Sequence, residues 1–416
     1  MEIVQVIAQN IQDLLDKHKI SVSELSGYLG ISRQTLTNYL KTTSTIDSVQ
    51  LVKIADFFNI PAEYLLKDHS DGKTNFLFRS ALHYEEAVDE IAEQVGEYLD
   101  KYKLLAKSVG KKISYLPEQY NLFVNYQNKV VDINFECQDY FAPKLAVDES
   151  LLHEIWQIAD DQRLRLGMEG KGATSLISAL TLRGINVIFM DLSTVDTFGL
   201  SICDEGLGCF IIVNSNSQIT VERQLFTVAH EYGHIILHRP VYKRRFHQST
   251  YPTNKKSLLD YMADYFASRL LCPPSSLQPY AEQFSKVRGD LNSIISLAIP
   301  IKLKLQISLQ SLILNLSQYG FIPGRAKSDF YALLKRTGTT KIEPISIRDN
   351  NILFEQFCHE RDSNILQMIR RLPCKKADAL CYFLDYDDEQ ATATIESWEK
   401  EEKKLYSIFE MINSDD

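Results

Sequence analysis

The sequence predicts a mainly α-helical protein with an α+β middle domain, and three observations carry that reading. Apolar residues recur at helical spacing along most of the 416 residues. Only two short runs, Gly184-Ile-Asn-Val-Ile-Phe-Met190 and Gly208-Cys-Phe-Ile-Ile-Val-Asn214, read as buried strands, and both lie mid-chain. Near residue 30 a tight turn joins two short amphipathic helices.

Composition narrows the class further. With 45% hydrophobic and 24% charged residues the chain has ample material for buried cores, which excludes global disorder. At roughly 150 residues per domain its length implies two or three domains. No window of 18 consecutive apolar residues occurs, and the opening Met-Glu-Ile-Val-Gln has no basic n-region, so a cytoplasmic protein without a membrane span is expected. Seven cysteines, an odd number with no C-x-x-C pair, support neither a disulfide framework nor a cysteine zinc ribbon. The net charge of -9 resides at the C-terminus: residues 377–416 hold 12 acids and 3 lysines, leaving 42 acids and 42 bases before them. That acidity reads as a solvated helical face.

Taken in order, residues 1–67 form a compact helical head, with Ile7, Ile11, Leu14 and Leu15 at helical spacing. The polar stretch Asp68–Thr74 is the first credible linker. Ala87, Val88, Ile91, Val95, Leu99 and Tyr102 then make a helical stripe without chemistry, a connector or dimer helix within residues 68–149. Residues 150–275 mix helices over 151–165 and 173–183 with the two strands and a long histidine-bearing helix. Residues 276–416 are a helical extension with an acidic tail.

In the head, Ser23-Glu-Leu-Ser-Gly-Tyr-Leu-Gly-Ile-Ser-Arg-Gln-Thr-Leu-Thr-Asn-Tyr-Leu40 carries the recognition signal. Leu25 and Leu29 face inward, Gly30 suits a left-handed turn, and Ser32 suits an N-cap. On the second helix Leu36 and Tyr39 or Leu40 face the core, which leaves Arg33, Gln34, Thr37 and Asn38 outward. Arginine reads guanine and Asn or Gln reads adenine in a major groove. Residues 5–67 resemble the XRE, or phage-repressor-like, five-helix DNA-binding domain. That resemblance implies base contacts from Arg33, Gln34 and Asn38 and a phosphate contact from Ser32. Residues 1–70 hold 6 bases and 8 acids, so a homodimer on an inverted-repeat operator is expected to strengthen a weak monomer footprint. The competing reading is a helical interaction module without DNA affinity.

In the middle, Arg223-Gln-Leu-Phe-Thr-Val-Ala-His-Glu-Tyr-Gly-His-Ile-Ile-Leu-His238 contains H-E-x-x-H at residues 230–234. The i, i+4 spacing stacks His230 and His234 on one helical face, where they can share a metal, and Glu231 beside them can act as the proton-transferring base of a hydrolase. His238 lies about 12 Å along the helix from His230, too far to share the ion. A third ligand is sought on the next helix, where Asp260 and Asp264 stand one turn apart. Between them Arg239–Lys256 carries six bases and no acid, either a cleft rim for an acidic segment or a solvated loop.

Residues 150–275 resemble the ImmA/IrrE metallopeptidase domain. The matching features are the Phe226–His238 helix, the strand ending Ile212-Val-Asn214, and Ala263-Asp-x-Phe-Ala-x-x-Leu-Leu-x-Pro273. The family usually has glutamates where this chain has Asp260 and Met262. By alignment Asp260 is the implied third ligand beside His230 and His234, with Asp264 supporting, Glu231 catalytic and Zn2+ the cofactor. Leu309–Gly320 and Lys335–Pro344 are similar to the C-terminal extension of regulators that fuse an XRE head to this zincin-like domain. Residues 345–416 show no further likeness.

These features predict a transcriptional regulator that binds double-stranded DNA through its head and carries a zinc endopeptidase domain acting on a protein partner, repressor- or antitoxin-like, or on itself. The alternatives are a transcription factor or antitoxin whose peptidase fold only senses a ligand or partner, and a toxin or phage-defence component of a two-gene system.

Overall fold

A computed structural model of the chain describes residues 3–17, 20–58, 65–66, 76–80, 85–112, 115–120, 122–126, 129–132, 149–204, 208–239, 258–287, 290–339, 342–373, 375–384 and 386–413. Mainly helical, with a small sheet in the middle, the chain divides into two compact units, Met1–Thr74 and Asn75–Asp416.

The first unit contains α1 (Ile3–Lys17), α2 (Val22–Leu29), α3 (Arg33–Leu40) and α4 (Ser48–Phe57). Side-chain oxygens of Ser21, Ser32 and Asp47 accept from the amides of Glu24, Thr35 and Gln50, satisfying donors that the helices cannot. α2 ends at Gly30 in the left-handed region (φ +70°), and the amides of Gly30 and Ile31 turn back onto the carbonyls of Gly27 and Ser26. That turn folds α3 onto α2, so Leu25, Leu29 and Leu36 join Ile11, Leu15, Leu51 and Ile54 in one core. Tyr39 and Leu40 both pack against it, half-buried. Of the expected fifth helix only Leu65 and Leu66 are among the described residues. Leu65 is buried, and its carbonyl accepts from Asn10 Nδ2 at 3.1 Å. The stretch Asp68–Thr74 lies outside the described residues.

The second unit contains strands β1 (Phe76–Ser80), β2 (Phe123–Tyr126), β3 (Lys129–Asp132), β4 (Ile185–Met190), β5 (Thr197–Asp204) and β6 (Gly208–Asn214). β2 and β3 form a separate hairpin, and the main sheet has the order β1-β5-β6-β4. β4 and β6 run parallel, whereas β5 is antiparallel to both β6 and β1. Its helices in chain order are α5 (Glu85–Ser108), α6 (Glu149–Arg165), α7 (Ser175–Leu182), α8 (Val221–Leu237), α9 (Leu258–Leu271), α10 (Pro274–Leu277), α11 (Ala281–Lys286), α12 (Leu291–Leu305), α13 (Leu309–Gln318), α14 (Gly324–Thr337), α15 (Asn351–Arg370), α16 (Lys376–Leu384) and α17 (Asp388–Asn413).

Both faces of the sheet are covered. Val187, Ile211 and Val213 share a core with α6 to α9, while Ile188, Phe210 and Ile212 point the other way into α5, α15 and α16. Two-sided burial is why 185–190 and 208–214 read as near-continuous apolar runs, interrupted by Asn186. The Ile91, Val95, Leu99 and Tyr102 stripe is thus buried within the chain against the sheet. Tyr102 Oη donates to Asn186 Oδ1 and accepts from Asn364 Nδ2, both at 2.7 Å, tying α5, β4 and α15 together.

Two features differ from expectation. β1, β2, β3 and β5 were not legible as strands; Thr197-Phe-Gly-Leu-Ser-Ile-Cys-Asp204, for example, mixes glycine and serine with apolar residues, so it shows neither a clean alternation nor a continuous apolar run. The expected absence of disulfides is also corrected, since Cys203 and Cys209 are bonded. The antiparallel register of β5 and β6 sets them directly opposite each other, with Cα atoms 4.3 Å apart. Cysteine count and C-x-x-C spacing carry no information about such a cross-strand pair.

Candidate functional site

α8 starts at Thr220, whose side chain caps the Arg223 amide, and runs beneath β5 and β6. Glycine is required at two contacts around it. A Cβ at Gly199 of β5 would lie 2.5 Å from Thr227 Cγ2, and one at Gly233 would lie 3.0 Å from Phe266 Cδ1 and 3.3 Å from Ala263 Cα. Gly199 therefore lets the sheet settle on α8, and Gly233 lets α9 approach from the other side. The small residues Ala263 and Ala267 of α9 serve the same close packing.

That approach brings His230, His234 and Asp260 together, with one ligand atom from each lying within 4.8 Å of the others. His230 Nε2 and His234 Nε2 are 3.0 Å apart, and Asp260 Oδ1 is 3.8 Å and 3.5 Å from them. A tetrahedral ion with bonds of about 2.0–2.1 Å holds its ligands roughly 3.3–3.4 Å apart. The triangle straddles that value, so the donor set fits zinc-like coordination.

The outer nitrogens are also supported. His230 Nδ1 lies 2.7 Å from Asp264 Oδ1, and His234 Nδ1 lies 2.9 Å from His238 Nδ1. For both Nε2 atoms to offer lone pairs, each Nδ1 must carry the proton, donated to Asp264 in one case and to His238 in the other. His238 suits that role, because burial, reinforced by the neighbouring His234, lowers its pKa well below the usual imidazole value and keeps it neutral. Burial alone would raise the Asp260 pKa, but hydrogen bonding and charge from His230 and His234 outweigh it. The carboxyl is held well below its ordinary range as an anion.

Glu231 is fully buried on the adjoining face. Its Oε2 accepts from Ser201 Oγ of β5 at 2.6 Å, and its Oε1 has no hydrogen-bond partner among the described residues. One oxygen is anchored, and the other is left open among the described residues. Ser201 was not legible as a site residue because its strand was not. Its position inside an apolar stretch beside Gly199 was the only available signal.

Next to the centre lies a cavity of about 970 Å3, bounded by Asp196 and Phe198 of the β5 end, Arg223 and Phe226 of α8, Tyr261 and Asp264 of α9, and residues of α13 and α14. The Arg223 guanidinium sits 4.2 Å from the centroid of the Phe198 ring. At its base Glu222, in the first turn of α8, meets the buried Lys302 Nζ at 3.2 Å, and Lys302 also binds Glu343 at 2.6 Å and the carbonyls of Pro344 and Ile345. This network holds Ile345 at φ +52°, an unfavourable conformation for a β-branched residue. Of the basic stretch Arg239–Lys256, only Arg239 is among the described residues, and its guanidinium donates to the Pro117 carbonyl.

In the head, Ser32, Arg33 and Gln34 are exposed and Thr37 and Asn38 half-exposed on one side of α3. Gln34 Nε2 donates to Asn38 Oδ1 at 3.1 Å, Thr37 Oγ1 donates to the Arg33 carbonyl, and Ser32 Oγ is engaged as the cap. The two amides orient each other on the surface of the second helix.

A helix-turn-helix head and an H-E-x-x-H helix with a downstream carboxylate define a DNA-binding regulator with a metallopeptidase-like domain. The comparisons with known families agree. Residues 10–69 match the Cro/C1-type HTH DNA-binding domain, and residues 181–317 match the IrrE N-terminal-like domain of peptidase family M78. The chain thus joins an XRE-type head to an ImmA/IrrE-type domain. A search of the curated proteins finds no significant match, and a search of the solved structures finds none. Among the described residues no single helix is long and apolar enough to cross a membrane.

Proposed function

We propose that the chain is a transcriptional regulator whose middle domain is a zinc-dependent endopeptidase acting on a protein partner. The observation that carries the reading is the His230, His234 and Asp260 triangle, with the buried Glu231 next to His230 in the chain and its Oε1 without a hydrogen-bond partner among the described residues. These three residues would hold the ion, and bound zinc supplies Lewis-acid polarisation of a peptide carbonyl and of water. Glu231 takes a proton at Oε1 and returns it to the departing amine, while Ser201 keeps its carboxylate in register. Asp264 and His238 fix the two imidazole rings. The cavity beside the centre accommodates the substrate segment.

In this reading residues 1–67 bind an inverted-repeat operator as a homodimer, with Arg33, Gln34, Thr37 and Asn38 at base edges and Ser32 at a phosphate. In the second unit residues 150–275 carry the chemistry, while α5 and residues 276–416 support it. Metal analysis of the full chain tests the centre: about one zinc per chain is expected, and equal metal in wild type and in a His230→Ala, His234→Ala variant overturns the assignment. The size of the cavity favours a second reading, a ligand sensor built on the same fold. It would be preferred if the metal-loaded chain cleaved nothing yet changed its DNA affinity with a small molecule.

A further inference from the structure

Among the described residues, β1 is the one strand of the main sheet that does not come from residues 185–214. It follows the Asp68–Thr74 stretch and pairs with β5 across more than a hundred residues of chain. Without it β5 is the edge of the sheet, and an edge strand offers a row of unpaired amides and carbonyls to any extended peptide.

That edge lies at the candidate centre. Ser201, whose hydroxyl holds Glu231, stands opposite Leu77 in the register, and Gly199, the close contact of β5 on α8, stands opposite Arg79. Pairing then slips between Arg79 and Ser80, skipping Phe198, a wall of the cavity. The backbone of Leu77–Arg79 therefore runs roughly 5 Å beyond the two strand positions nearest the catalytic helix.

Resting on the peptidase reading above, we propose that β1 is an internal occupant of the β5 edge, which an extended substrate segment must displace to reach the centre.

The probe is a fluorescent peptide of residues 74–81, Thr-Asn-Phe-Leu-Phe-Arg-Ser-Ala, titrated by anisotropy against the full chain and a full-length Leu77→Pro, Arg79→Pro variant, in which proline removes two amides from the strand. If β1 occupies the site nine-tenths of the time or more, the variant binds the peptide at least about ten-fold more tightly than wild type. Equal affinity for both chains, or no binding by a variant of unchanged circular dichroism, overturns the proposal. Amide exchange on the wild type gives an independent reading. Residues 76–80 should exchange slowly alone and faster with excess peptide; free-chain rates without peptide overturn it. Both measurements are repeated on Glu231→Gln, which needs no turnover. Peptide displacement without any proteolysis in the wild type leaves strand docking standing and removes the peptidase reading. Proteolysis without displacement does the reverse.

Discussion

Replacing Asp264 with alanine should weaken metal binding without abolishing it. The substitution removes the carboxylate 2.7 Å from His230 Nδ1 and leaves His230, His234 and Asp260 intact. Losing such a supporting partner typically lowers affinity by about 10–100-fold, or about 1.4–2.7 kcal/mol. Asp260→Ala instead removes one of the three ligand atoms themselves, so its loss should exceed about 100-fold. The assay is competition for zinc against a chromogenic chelator, using full-length proteins of confirmed fold. The expected order of affinity is wild type, then Asp264→Ala, then Asp260→Ala. The reverse order of the two variants would transfer the third-ligand role to Asp264 and refute the triangle as drawn.

Three further outcomes follow from the geometry. Burial, and secondarily the charge of Arg371, lowers the Lys111 pKa to about 8 from an ordinary 10.5. Between those values the unfolded chain holds a proton that the folded chain has released, so stability rises with pH through this window and Lys111 is a burden below pH 8. After discounting for partial solvent screening, Lys111→Met should gain about 1–2 kcal/mol at pH 7 in urea titrations and lose that gain by about pH 10.5; a pH-independent difference would contradict this. Lys302→Met strands Glu222 and Glu343 in a buried site and should cost about 3–5 kcal/mol, whereas a loss below about 1 kcal/mol would show that the network is not structural. In a bound-fragment selection Arg33→Ala should forfeit about 1–3 kcal/mol of base discrimination, and unchanged sequence preference there and in the Gln34→Ala and Asn38→Ala variants would move the reading face elsewhere.

Local signals made the head legible, because its turn, caps and inward leucines lie within 20 residues of one another. The histidine pair was equally local. What the sequence could not supply were contacts made across long separations. Ser201 reaches the helical Glu231 from β5, the cross-strand cysteines depend on the β5–β6 register, and Lys302 meets Glu222 and Glu343 from three parts of the chain. The Asp260 question turns on such a contact as well. An aspartate is one methylene shorter than the glutamate expected from the family resemblance, yet the helix approach permitted at Gly233 leaves its Oδ1 3.5 Å from His234 Nε2. The α5 stripe was visible as helical, but nothing local identified the sheet face it covers.

The central claim is that Glu231 performs chemistry at a metal centre, and substitution by glutamine isolates that chemistry. The amide nearly preserves the shape of the carboxylate and can still accept from Ser201, but it cannot take up the proton. Quantitative proteomics on cells expressing wild type or Glu231→Gln, with zinc content and DNA binding checked on the purified proteins, makes the comparison. Equal zinc, equal DNA affinity and at least one protein fragment that appears only with wild type are expected. Identical fragment profiles in every stress condition, from two proteins with equal zinc, would contradict it.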